Sequence, residues 1–203
     1  MHNAKELTVA YIGGGSRGWA WGFMTDLATD PDLCGVVRLY DIDREAAERN
    51  QVIGSRISAH PDAVSRWAYE VSGSLQEALS GADFVVISIL PATFREMESD
   101  VHLPERVGIF QPVGDTVGPG GFMRAMRTIP MYVEIGEAIK AWAPEAWVIN
   151  YTNPMSPWRA HRLLSRRPTG PLALERNPEK TERENREEII EKSTANTVLS
   201  SLE

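Results

Sequence analysis

Residues 9–18 read Val-Ala-Tyr-Ile-Gly-Gly-Gly-Ser-Arg-Gly, and this stretch decides the fold. Its apolar first half predicts a buried strand, and a helix-compatible segment follows the last glycine. A strand, a Gly-x-Gly-x-x-Gly turn and a helix in direct succession are typical of a dinucleotide-binding unit. We expect Gly13 to make the tight turn, Gly15 to let a pyrophosphate approach the backbone, and Gly18 to let the helix pack closely on the strand. The alternative is a glycine turn that binds no ligand.

The loop is predicted to hold the diphosphate of NAD, because the first N–H groups of a helix and its positive dipole end attract an anion. The loop residues that we predict to bind the cofactor are Gly13, Gly14, Gly15, Ser16, Arg17 and Gly18. A second apolar run, residues 36–40, leads into Asp41. A carboxylate at the end of that strand can accept hydrogen bonds from the ribose hydroxyls, which favours NAD over NADP.

Strand and helix patterns alternate along the first 150 residues. Apolar runs predict strands at residues 7–13, 36–41, 67–71, 84–90 and 146–151. Helical spacing and capping residues predict helices at 18–29, 44–58, 75–79, 93–102 and 121–142. This order predicts an α/β fold, a Rossmann-like doubly wound parallel sheet with right-handed crossovers. Ligands of such sheets bind beyond the carboxyl ends of the strands, so Asn150, at a strand end, is also predicted to bind the cofactor.

Composition excludes several classes of partner and predicts a location. A formal charge of −7 argues against nucleic acid and anionic membranes as partners. No apolar run approaches the ~20 residues of a membrane span, and residues 1–7 are polar rather than typical of a signal peptide. The single cysteine, Cys34, forms no intrachain disulfide. We therefore expect a cytoplasmic protein.

The composition changes after Met155. Residues 157–171 are basic and rich in proline, and residues 175–192 are almost entirely charged. This pattern is typical of a solvated segment rather than of another layer of core. The sequence predicts an NAD-binding domain at residues 1–156, followed by a charged, poorly packed tail at residues 157–203.

Three stretches in this order resemble the N-terminal part of family 4 glycoside hydrolases: residues 11–16, residues 113–130 with their Gly-Pro-Gly-Gly segment, and residues 148–155. Residues 101–106, Val-His-Leu-Pro-Glu-Arg, resemble the alpha-galacturonidase branch in particular. Lactate and malate dehydrogenases share the fold, so an NAD-dependent 2-hydroxyacid dehydrogenase is one alternative. A non-enzymatic NAD-binding module is another.

The resemblance implies an NAD-dependent exception to hydrolysis by two carboxylates. Family members oxidise the C3 hydroxyl of the sugar, remove the proton on C2, eliminate the aglycone, add water and reduce the ketone again. A divalent metal, usually manganese, polarises the developing ketone. The implied partner is a small carbohydrate, an alpha-galacturonide, and the family is homo-oligomeric.

The resemblance also implies substrate-binding residues. Asn153 matches the asparagine that contacts cofactor and sugar in the family, and the alternative is an Asx turn before proline. Asp115 and Thr116 lie where sugar hydroxyls are expected, and the alternative is helix capping. His102 and Arg106 could meet a uronate carboxylate, Arg106 through its guanidinium, and solvated surface charge is the alternative for both.

The sequence departs from the family pattern after about residue 156. Family members bind the metal through a cysteine and a later histidine, whereas no cysteine follows Cys34 here. His161 is the one later histidine, and no second ligand accompanies it. The tyrosine base and the substrate domain of the family would lie beyond residue 203. We therefore expect the 203-residue chain to lack the metal ligands and to be inactive or nearly so.

Overall fold

A computed structural model describes residues 5–112 and 117–152 of the chain. Three of the predicted site residues, Asp115, Thr116 and Asn153, lie outside the described residues, as do the boundary expected at residue 156 and the segment 157–203. Within the described part, no helix is both long enough and apolar enough to cross a membrane.

Five parallel strands form one sheet, as the alternating pattern predicts. The strands are β1 (Lys5–Ile12), β2 (Leu33–Tyr40), β3 (Trp67–Val71), β4 (Phe84–Ile87) and β5 (Trp147–Asn150). Their order across the sheet is β3-β2-β1-β4-β5, and all four neighbouring pairs are parallel. The strand order reverses direction at β1, so the glycine-rich loop that follows β1 lies at the switch point where such sheets bind ligands.

Helices connect the strands and cover both faces of the sheet. They are α1 (Gly18–Thr29), α2 (Arg44–Ser58), α3 (Leu75–Leu79), α4 (Phe94–His102) and α5 (Gly118–Trp142), and a 3-10 helix spans Leu103–Val107. The side chains of β1 alternate between two cores. Val9 and Tyr11 pack with α1 and α2 on one face, whereas Ala10 and Ile12 pack with α3 and α5 on the other. This is the doubly wound arrangement that the sequence predicts.

Local signals locate several helix ends correctly. Asp43 caps α2, since its side chain accepts a hydrogen bond from the Ala46 amide. Ser74 caps α3 in the same way, accepting from the Glu77 amide. In a capping box the Glu77 carboxylate would accept from the Ser74 amide, but it accepts from the Gly73 amide instead, 2.6 Å away. The capping box is therefore shifted by one residue on that side.

Other element ends differ from the predictions because distant partners set them. β4 ends at Ile87 rather than at residue 90, because its neighbour β1 ends at Ile12. The Ser88 amide still donates to the Ile12 carbonyl, and the Ile89 amide then bonds to the Thr152 hydroxyl, outside the strand ladder. The long helix begins at Gly118, three residues before the predicted start, and contains Pro130. The 3-10 helix at Leu103–Val107 lies where no element was predicted.

Candidate functional site

The glycine-rich loop is held against the end of β2 by backbone hydrogen bonds. The amides of Gly13 and Gly14 both donate to the Tyr40 carbonyl at 2.9 Å. Gly13 has a φ of +91°, and a Cβ there would lie 2.0 Å from the carbonyl oxygen of Ser88. Only glycine fits this position, because of its backbone conformation and because the backbone just after β4 approaches so closely. The prediction that Gly13 makes the tight turn is confirmed.

Gly15 is required for a reason that the sequence did not show. A Cβ at this position would lie 2.6 Å from the Cβ of Ala46 and 2.9 Å from Oδ2 of Asp41. The loop therefore packs directly on the first turn of α2 and on the acidic residue at the end of β2. The approach of a pyrophosphate to this backbone stays a prediction.

Asp41 lies beside the loop and organises it. Its Oδ2 accepts a hydrogen bond from the Gly15 amide at 2.8 Å, and its Oδ1 accepts one from the Asp43 amide at 2.8 Å. The side chain is partly exposed. Because each carboxylate oxygen has two acceptor positions, Asp41 keeps capacity for further donors such as ribose hydroxyls. Its contact with a ribose stays a prediction.

The N-terminus of α1 is suited to an anion. Arg17 occupies the N-cap position without a side-chain capping bond, and no acidic residue lies in the first turn. The Ser16 amide is satisfied locally by the Gly13 carbonyl at 3.0 Å. The first-turn amides thus retain the partial positive charge that binds phosphate groups.

Gly18 does not have the packing role expected of it. A Cβ at this position would meet no heavy atom within 4 Å in the part of the chain that is described. The third glycine therefore does not mark a close contact between α1 and the sheet. Gly18 is exposed at the start of the helix, so its remaining predicted role is contact with the cofactor.

Asn150 lies at the opposite side of the site, at the end of β5. Its Oδ1 accepts hydrogen bonds from the Tyr132 hydroxyl at 3.1 Å and from the Thr152 amide at 3.0 Å. Asn150 is buried, and its Nδ2 has no hydrogen-bond partner among the described residues. A buried donor without a partner is costly, so this amide is available to a ligand that enters the site.

The side chains of Tyr132 and Thr152 hold this strand end, and the sequence analysis missed both. Thr152 is buried, and its Oγ1 accepts from the Ile89 amide at 3.0 Å, which joins the ends of β4 and β5. Burial raises the pKa of Tyr132, while its bonds to Thr152 and Asn150 oppose the rise. Tyr132 is one of the regularly spaced apolar positions of α5, so its spacing indicated a core residue and not a polar contact.

The glycine-rich loop and the start of α1 contact the ends of β4 and β5. Ser88, which limits the space at Gly13, is followed by the residue that bonds Thr152. The rings of Trp19 and Tyr151 stack with centroids 5.9 Å apart and planes 24° apart. The glycine-rich loop, the start of α1 and the ends of β4 and β5 therefore form one continuous edge, as expected for parallel strands.

A cavity of about 570 Å³ lies elsewhere, between α4, the 3-10 helix and the start of α5. Arg106 and Arg127 are among its lining residues, and none of the glycine-rich loop is. Arg127 forms an ion pair with Asp100. The role suggested for Arg106 toward a uronate stays a prediction.

The residues that the structure describes do not fit a bound metal. In residues 5–112 and 117–152, no group of three or more histidine, cysteine or acidic side chains is placed to hold an ion. His161, the remaining candidate, lies outside these ranges. Cys34, the sole cysteine, is in β2.

Comparisons with known proteins agree with this geometry. The sequence profile described as family 4 glycosyl hydrolase matches residues 8–169. An alpha-galacturonidase from Lachnoclostridium phytofermentans is 64% identical over 152 residues, which are 75% of this chain and 33% of that protein. The chain therefore spans about a third of the length of this relative.

Solved structures show the same relationship. The crystal structure of lplD from Bacillus subtilis superposes with a TM-score of 0.72 at 53% identity, over 78% of this chain and 36% of that one. A 6-phospho-beta glucosidase from Thermotoga maritima, solved with manganese, NAD⁺ and glucose-6-phosphate, has a TM-score of 0.62 at 26% identity, over 73% of this chain and 34% of that one. With its glycine-rich loop, its doubly wound sheet and these matches, the chain belongs to family 4 of the glycosyl hydrolases.

Proposed function

We propose that this chain forms the NAD-binding part of a family 4 glycosidase that acts on alpha-galacturonides. The observation that carries the proposal is the junction of the glycine-rich loop with Asp41, through the 2.8 Å bond from the Gly15 amide. This junction supports the proposal, because Asp41 would accept from ribose hydroxyls beside a helix N-terminus that would bind the diphosphate. A dinucleotide requires both features within a few ångströms of one another.

The described residues fit NAD at both sides of the site. The first turn of α1 would hold the diphosphate, and Asp41 would accept hydrogen bonds from the adenosine ribose. Asn150 offers a buried Nδ2 without a partner, which would donate to an acceptor of the cofactor. When bound, NAD would supply the acceptor for the hydride that leaves a sugar carbon as the hydroxyl on that carbon is oxidised to a ketone. The side chains of the chain itself bind and orient the dinucleotide.

The galacturonide substrate is proposed from the relatives rather than from the described site. The Lachnoclostridium protein that is 64% identical over the matched residues is an alpha-galacturonidase.

The described residues offer no metal site. Since no described group fits manganese, we assign no step to a metal in this chain.

We also propose the partners and the location that the sequence predicts. A small carbohydrate is the proposed ligand, with a homo-oligomeric assembly as in the family. The formal charge of −7 supports the absence of nucleic acid and anionic membrane among the partners. A cytoplasmic location rests on the single cysteine.

Calorimetric titration of the purified chain with NAD and with NADP tests the proposal. We expect NAD to bind at one site per chain and NADP to bind at least about tenfold more weakly, because Asp41 would repel a 2′-phosphate. Equal affinity for both nucleotides, or no binding of either, would contradict the proposal.

A second assay addresses turnover. With NAD, manganese and a reductant, we expect no release of galacturonate from digalacturonate by this chain. Release would contradict the expectation of inactivity and support the glycosidase assignment directly. Net formation of NADH from lactate or malate would instead favour the 2-hydroxyacid dehydrogenase alternative, and NAD binding without any turnover fits a binding module as well.

A further inference from the structure

A buried asparagine on α2 joins three elements around the glycine-rich loop. Asn50 is 3% exposed. Its Nδ2 donates to the Gly14 carbonyl at 2.7 Å and to the Ser16 carbonyl at 2.8 Å. Its Oδ1 accepts from Nε1 of Trp21, on α1, at 2.8 Å. Both amide hydrogens and the amide oxygen are therefore used.

The chemistry of the three partners sets the orientation of this amide. Two of them are carbonyl oxygens, which only accept, and the third is an indole N–H, which only donates. If the amide nitrogen and oxygen of Asn50 exchanged places, its oxygen would face the two carbonyl oxygens, and its NH₂ group would face the indole N–H of Trp21. Asn50 therefore has one arrangement with all of its hydrogen bonds made.

These bonds fix two peptide planes of the loop. In a trans peptide the C=O and the following N–H point in opposite directions. With the Ser16 carbonyl held by Asn50, the N–H of Arg17 must point away from α2. In the same way, the bond to the Gly14 carbonyl directs the N–H of Gly15 away from Asn50, and that N–H meets Asp41.

We propose that Asn50 is a positioning residue of the dinucleotide site, which turns two loop carbonyls away from the incoming diphosphate and presents the Arg17 N–H to it. This inference rests on the proposed NAD binding. An anion is repelled by carbonyl oxygens and attracted by N–H groups, so the orientation of these peptides decides the sign of the local field. With the loop held in this orientation before NAD arrives, binding does not have to order it.

The neighbouring residue on α2 provides a matched control. Gln51 also donates a side-chain amide hydrogen to a backbone carbonyl, that of Tyr69 in β3, at 3.0 Å. Replacing Gln51 with leucine removes an amide–carbonyl hydrogen bond on the same helix without touching the loop. Both Asn50→Leu and Gln51→Leu are expected to lower stability, so stability alone does not separate positioning from structure.

The experiment measures NAD binding by calorimetric titration and amide hydrogen exchange of the loop in the absence of NAD, for the full chain and the two variants. In Asn50→Leu we expect the dissociation constant of NAD to rise about tenfold or more, with the number of sites per folded chain unchanged. The amides of Gly15 and Arg17 should also exchange faster than in Gln51→Leu. In Gln51→Leu the dissociation constant should stay at the wild-type value.

The outcomes separate the two proposals. An NAD affinity of Asn50→Leu equal to that of Gln51→Leu overturns the positioning role and leaves the proposed function standing. If the wild-type chain does not bind NAD, the proposed function fails, and the exchange rates of Gly15 and Arg17 still decide whether Asn50 holds the loop. Should Asn50→Leu not fold, Asn50→Ala removes the same three hydrogen bonds with a smaller side chain, and an unchanged dissociation constant there overturns the role.

Discussion

The amide nitrogen of Gly15 donates a 2.8 Å hydrogen bond to Oδ2 of Asp41. The two residues are 26 positions apart, and each belongs to a different half of the nucleotide-binding motif. The bond makes the glycine-rich loop and the acidic end of β2 one unit, so a change in either should affect both stability and nucleotide binding.

Replacing Asp41 with alanine tests this unit. The change leaves the Gly15 and Asp43 amides without their acceptor, so we expect the free energy of unfolding to fall by about 1–3 kcal/mol and the NAD dissociation constant to rise about tenfold or more. Chemical denaturation and calorimetric titration measure the two effects. Asp43→Ala is the control, since it removes the α2 cap at a cost of about 1 kcal/mol and should leave NAD affinity unchanged. Equal affinities of the two variants would contradict the assignment of Asp41.

The substitution Gly15→Ala tests the close approach of α2. Its Cβ would lie 2.6 Å from that of Ala46, so we expect a loss of about 1–3 kcal/mol of stability from steric strain. Gly22, exposed within α1, is a matched control because a Cβ there would meet no heavy atom within 4 Å. Gly22→Ala should stabilise the protein by about 0.5–1 kcal/mol, since alanine is the better helix former. Thermal unfolding of both variants checks the opposite signs.

Buried tyrosines predict a loss of stability at high pH. Burial raises the pKa of Tyr69 and is the main cause of the raised pKa values of Tyr11 and Tyr132. A folded-state pKa above the unfolded value of about 10 stabilises the protein fully at lower pH, and this stabilisation is lost as the pH rises above about 10. We expect the free energy of unfolding to decrease as the pH rises above about 10, each tyrosine contributing up to about 1.4 kcal/mol per pH unit.

Tyr69→Phe provides the comparison for this pH dependence. Above about pH 10, the free energy of unfolding of the variant should decrease less steeply with pH than that of the wild type. At neutral pH it should be nearly as stable as the wild type, because the Tyr69 hydroxyl is buried without a hydrogen-bond partner in the described residues. Denaturant titrations at a series of pH values measure the stability at neutral pH and its decrease at high pH. If the free energy of unfolding falls with pH as steeply in the variant as in the wild type, Tyr69 does not titrate with a raised pKa.

The ion pair between Asp100 and Arg127 joins α4 to α5 beside the cavity. The Asp100 side chain is 10% exposed and that of Arg127 29%, so removing one partner leaves a poorly solvated charge. We expect Asp100→Asn to cost about 2 kcal/mol. The exposed pair of Glu137 and Lys140 lies on α5 as well, and Lys140→Met should cost less than about 0.5 kcal/mol. Similar costs in the two denaturation experiments would argue against a partly buried pair at Asp100.

Elements whose signals are local could be predicted from the sequence. The bounds of α2 (Arg44–Ser58) were correct because Asp43, the cap, and the helix formers after it act within a few residues of one another. The turn at Gly13 was correct because only glycine readily adopts its backbone conformation. The end of β4 was predicted three residues too late, since it is set by the end of the neighbouring strand β1 at Ile12 and by the Thr152 hydroxyl, which are both distant in the chain.

The candidate site divides in the same way. The glycine-rich loop and Asp41 were recognised from their spacing, which a diphosphate and a ribose impose on the chain. The roles assigned to Asp115, Thr116 and Asn153 lie outside the described residues and remain predictions. Asn50 carried no signal of its own, because a lone asparagine in an amphipathic helix is ordinarily a surface residue.

The amino-acid sequence by itself determined the alternation of strands and helices, the nucleotide-binding loop and the family, because these depend on short-range patterns. Only the tertiary structure showed that packing requires glycine at position 15 and does not require it at position 18. It also showed which side chain orients the loop. These features depend on contacts among the glycine-rich loop, α1, the end of β2 and α2, which the chain brings together only when the sheet has formed. The glycines of the loop and Asp41 could therefore be predicted from the sequence. The hydrogen bonds of Asn50 with Gly14, Ser16 and Trp21 could not.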